Sequence, residues 1–69
     1  SQCADIFWWL SDGHTLTPAE AYARFGTLAL HSRIAELRDR GIEIDCELVR
    51  VGPRKMVGRY SLPVRVAYG

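Results

Sequence analysis

Apolar side chains at Cys3, Ile6, Phe7 and Leu10 recur at three- and four-residue spacing, which places them on one face of a helix over residues 2–11. Ser11, Asp12 and Gly13 break that pattern and stop the helix. At about 100° per residue, Trp9 flanks the apolar face and Trp8 points nearly opposite Ile6, so one indole is expected at the surface. Leu16 inserts ahead of Thr17-Pro18-Ala19-Glu20, a capping box with proline at the first helical position, and predicts a second helix over 17–25. Ala19, Ala21 and Ala23 keep this helix thin, and Phe25 anchors its end before Gly26 supplies the turn.

Thr27 has the chemistry of an N-cap, and Leu30, Ile34 and Leu37 fall in one narrow arc, so a third helix is expected over 27–40 with Gly41 as its stop. Ile42, Ile44, Cys46 and Leu48 then alternate with Glu43, Asp45, Glu47 and Val49 at a period of two. That is a half-buried strand with Cys46 turned inward. Gly52-Pro53-Arg54-Lys55 is the turn and Met56 to Leu62 the returning strand, giving a hairpin over 42–62 with Tyr60 and Leu62 in the core. Pro63 reduces residues 63–69 to a tail or an edge strand. Helix, Gly turn, helix and hairpin in this order make one α+β domain over residues 1–69, a winged helix-turn-helix.

The length of 69 residues allows one small core, in which only about 60% of the unfolded surface is buried, so stability is expected to be modest and helped by oligomerisation. The net charge of +1 hides a division. Residues 1–49 carry four Arg against eight acids, net −4, while residues 50–69 carry five cations and no acid, net +5. Such asymmetry points to a local polyanion site rather than bulk cationic binding. The apolar run from Ile6 to Leu10 is too short to span a membrane and lacks the basic flank of a signal peptide, so the expectation is a soluble cytoplasmic, nucleoid-associated protein. A start at Ser1 rather than Met is expected of either an excised domain or a nearly complete small protein.

The order and spacing of Leu16-Thr17-Pro18, Phe25-Gly26-Thr27-Leu28, Ser32 to Arg38, Gly41-Ile42, Glu47-Leu48-Val49 and Gly58 to Leu62 resemble the small winged helix-turn-helix domains of bacteriophages and prophages. The resemblance runs from Ile6 to Leu62 and implies a DNA-binding transcriptional regulator or recombination accessory factor. Relatives often carry a basic residue where this chain has Leu28 and Ala29, and unremarkable surface residues where it has Trp8 and Trp9.

If the third helix enters the major groove, Thr27, Leu28, His31 and Ser32 meet base edges, and Arg33 reaches base or phosphate. Arg50, Arg54, Lys55 and Arg59 around the hairpin tip suit phosphates or a narrow minor groove; the other reading is an edge strand protected by charge. Arg33 and Arg40 have a second option, pairing with Glu36 on their own helix. Glu43, Asp45 and Glu47 make an acidic outward stripe that would turn away from DNA. Trp8 and Trp9 either roof the core or contact a protein partner or second subunit.

No catalytic residue, metal, cofactor or small-molecule substrate is expected. A nucleophile with its base and a phosphate loop are both missing, and Cys3, His14, His31 and Cys46 lack close ligand pairs. Both thiols are expected reduced. The expected partner is double-stranded DNA, bound by a dimer or by neighbouring copies because one module offers a small interface. The alternative is a protein-interaction module that uses the fold as scaffold.

Overall fold

A computed structural model of the chain describes residues 1–63, so the expected tail over 64–69 lies outside the described residues. The elements run α1 (Gln2–Ser11), α2 (Pro18–Phe25), α3 (Leu30–Asp39), β1 (Asp45–Gly52) and β2 (Lys55–Ser61). Their order is the winged helix-turn-helix expected from the sequence.

Each helix end is explained by local chemistry. The Ser1 hydroxyl accepts from the Ala4 N–H and caps α1. Before α2, Thr17 Oγ1 accepts from the Glu20 N–H while the Glu20 carboxylate accepts from the Thr17 N–H at 2.9 Å, and Pro18 occupies the first turn. Gly26 closes α2 at φ 70, the left-handed region that a Cβ disfavours. The close of α3 is a Schellman motif: the Gly41 N–H donates to Arg38 O and the Ile42 N–H to Leu37 O, with Ile42 packed on the core.

The start of α3 differs from expectation. Thr27 is not its N-cap; the helix begins at Leu30 behind Ala29, which makes no side-chain cap. Thr27 is only 4% exposed, and its hydroxyl accepts from the Ala29 N–H at 3.0 Å. A hydroxyl bonded two residues ahead holds the backbone in a turn and defers the helix.

Antiparallel pairing joins β1 and β2, with Cys46 opposite Tyr60, Glu47 opposite Arg59 and Leu48 opposite Gly58; an irregularity follows Arg50. The hairpin base is sewn to the helices at Leu16, which exchanges two backbone hydrogen bonds with Tyr60. Cys3, Ile6, Leu10, Leu16, Ala21, Leu30, Ile34, Leu37, Ile44 and Tyr60 form the core, so the three helices, β2 and the connections at Leu16 and Ile44 contribute, while β1 supplies none of it.

Two expectations for the hairpin fail together. The strand starts at Asp45 rather than Ile42, and Cys46 is exposed rather than buried, as is Leu48 at 69%. Leu62 is only partly buried. Ile44 still reaches the core. Beyond it the alternation continues, but none of the described residues covers the apolar side chains of β1.

Candidate nucleic-acid interface

With Leu30, Ile34 and Leu37 turned into the core, the rest of α3 divides into three strips at about 100° per residue. One strip faces the hairpin: His31 Nδ1 lies 2.9 Å from the Tyr60 hydroxyl, and Arg38 donates to Ile44 O at 2.7 Å with its guanidinium over the Tyr60 ring. A second faces α1. There Arg33 pairs with Glu36 at 2.9 Å, and the Cys3 thiol donates to the same carboxylate at 3.0 Å. The third strip, Ser32, Ala35 and Asp39, is exposed and made of short side chains. It is the side on which another backbone can approach closely.

These strips sort the expected base-reading residues. His31 and Ser32 are exposed at the start of α3, and Leu28, 89% exposed, stands just before it. Thr27 does not join them, because its hydroxyl is buried in the turn. Arg33 does not share their side: it lies against α1 in an ion pair, with its Nε buried and unbonded.

The hairpin cations divide as well. Arg59 is taken up by Glu47 across the strands at 2.6 Å, so the acidic stripe is partly neutralised by the residue expected to meet phosphate. Directly opposed unlike charges favour that pairing. Arg50 donates to Pro53 O at 2.8 Å and braces the turn. Arg54 and Lys55 are exposed at the tip, and their side chains make no ion pair or hydrogen bond to any described residue.

The two indoles part company. Trp8 is 66% exposed and meets Phe7 edge-on. Trp9, for which the sequence leaves open both roofing the core and contacting a partner, packs into the fold: it donates to Thr15 O at 3.0 Å, stacks on His14 and carries the Arg24 guanidinium on its face. This arrangement locks the α1–α2 connection.

Among the described residues, two groups are shifted from their ordinary values. The hydrogen bond to Glu36, reinforced by burial, pushes the Cys3 thiol up. Burial above all pushes the Tyr60 phenol up, so it keeps its proton. Tyr60 is the residue that sequence reading missed: its aromatic character placed it in the core, but no local signal announces a hydrogen bond to a histidine 29 positions away. No group of three or more His, Cys, Asp or Glu side chains suited to a metal occurs among the described residues, and none of their helices is long and apolar enough to cross a membrane.

A helix-turn-helix carrying a cationic hairpin defines a class whose partner is DNA. Residues 1–65 match the winged helix-turn-helix domain family, and the chain belongs to it. No curated protein and no solved structure matches it.

Proposed function

We propose that this chain binds double-stranded DNA sequence-specifically in the bacterial or host-cell cytoplasm, as a transcriptional regulator or recombination accessory factor of a phage or mobile element. The observation that carries the reading is the division of labour on the surface. Unpaired Arg54 and Lys55 stand at the hairpin tip, while Leu28, His31 and Ser32 stand at the exposed start of α3. The tip cations supply affinity through phosphates, and the helix supplies base contacts. Resemblance to small phage domains supports the mobile-element setting, and the small interface of one module favours two copies on repeated half-sites.

A salt titration tests the electrostatic half. Each phosphate neutralised contributes about −0.9 to the log–log slope of affinity against salt. Replacing Arg54 and Lys55 together with Ala weakens binding about equally across sequences and flattens the slope by up to about two such increments. An unchanged slope would remove the tip from the interface.

One observation favours a second reading, that of a protein-interaction module. Trp8 projects from the face of α1 away from the core, and large exposed aromatics are enriched in protein interfaces. Under it, Trp8→Ala leaves folding nearly intact but lowers self-association or partner capture, read by sedimentation and pull-down. The DNA reading expects duplex binding to survive that change; absence of duplex binding at low ionic strength would hand the surface to protein.

A further inference from the structure

The contact between His31 and Tyr60 joins the exposed start of α3 to the buried base of the hairpin, and it constrains what the histidine presents outward. The phenol is buried and holds its proton. That proton needs an acceptor. Within reach stand His31 Nδ1 at 2.9 Å and the Cys46 thiol beside the ring; an imidazole nitrogen is a far better acceptor than sulfur. The other ring nitrogen, Nε2, bonds to no described residue, and the side chain is exposed.

We infer that Tyr60 is a positioning residue for His31: its O–H donates to Nδ1, fixes the ring as the Nε2–H tautomer, and so makes His31 a hydrogen-bond donor aimed at an acceptor on the duplex. This rests on the DNA reading above. A partner on one ring nitrogen sets the proton on the other. A donor reads guanine O6 or N7, adenine N7 or thymine O4 and rejects the amino group of cytosine, and it serves a phosphate oxygen equally well. Because Tyr60 also pairs with Leu16, the hairpin base, the first connection and the reading end of α3 are held in one frame.

Two measurements test this, and they fail independently. The first is the nitrogen-15 signature of the neutral His31 ring in the free protein, from long-range proton–nitrogen correlation. The wild type shows the Nε2–H tautomer, and Tyr60→Phe, which keeps the ring and removes only the hydroxyl, shows a mixture. A wild-type ring protonated at Nδ1 would overturn the inference whatever the protein binds.

The second measurement is discrimination among duplexes selected from a random library. Tyr60→Phe and His31→Ala each lose about fivefold in preference at the same base pair, the worth of one net hydrogen bond. The double variant loses no more than His31→Ala alone, because the two act as a unit. A loss confined to one base pair assigns the acceptor to a base edge, and a uniform loss assigns it to phosphate. If His31→Ala alters preference while Tyr60→Phe does not, the positioning role is overturned. If the wild type enriches no duplex at all, the DNA reading falls and the base contact with it, while the nitrogen-15 result still decides the tautomer. The backbone spectra of both variants report folding, because His31→Ala changes an exposed side chain but also removes the acceptor of the buried Tyr60 hydroxyl.

Discussion

Cys3 shows how a residue read correctly as core acquires chemistry from a partner in another element. Its thiol is buried against α3 and donates to Glu36, which is itself paired with Arg33. The bond to Glu36 first, and burial second, raise the thiol above its ordinary value of 9.0. In the unfolded chain the thiol ionises at its ordinary value, whereas the folded state holds the proton longer. The stabilisation is therefore fully present below that value and lost as pH rises through the raised one. Denaturation midpoints of the parent should fall on the alkaline side of pH 9.0, and Cys3→Ala should flatten that fall. Parallel alkaline limbs would show that the thiol does not titrate against Glu36 in the folded state.

At the scale of the element, the helix ends carry the clearest local information, and α2 carries the most. Its eight residues bury only Ala21 completely, so its own packing is thin and its caps matter in proportion. Thr17→Ala removes one half of a reciprocal cap whose other half is Glu20. The expected loss is about 1 kcal/mol, within a range of about 0.5 to 2, measured by urea denaturation. A loss near zero would mean that water serves the Glu20 N–H as well as the hydroxyl does. Thr27 offers the opposite lesson. Its residue type satisfies the N-cap preference, yet its hydroxyl closes a two-residue turn and the helix waits until Leu30.

For the molecule as a whole, the decisive fact is that three short helices meet the hairpin around Ile44 and Tyr60 and bury no residue of the eight-residue strand β1. Ile34 and Leu48 both sit in regular apolar patterns, but Ile34 is fully buried between elements and Leu48 projects beyond them. Ile34→Ala should cost about 2 to 5 kcal/mol through the cavity it leaves, and in so small a domain that threatens folding outright. Leu48→Ser should fall within about 0.5 kcal/mol of the parent. A large loss for Leu48→Ser would indicate that the hairpin is covered in solution, because none of the described residues buries Leu48.

Legibility in the sequence followed the range of the interaction. Helical periodicity in α1 and α3, the capping box at Thr17, the glycine stops at Gly26 and Gly41 and the Pro53-Arg54 turn all act within a few residues, so the sequence by itself determined the element order, the fold class and most of the core. The exposed tip cations Arg54 and Lys55 were equally plain, because no acid stands near them in the chain. What only the tertiary structure decided depends on partners far apart in sequence. Glu47 claims Arg59, α1 claims the Arg33 and Glu36 strip, and His14 and Arg24 enclose Trp9. The same reason covers Cys46 and Leu48. A period of two states which side of a strand is apolar, but burial needs an opposing surface, and where the helices end is a property of the assembled fold.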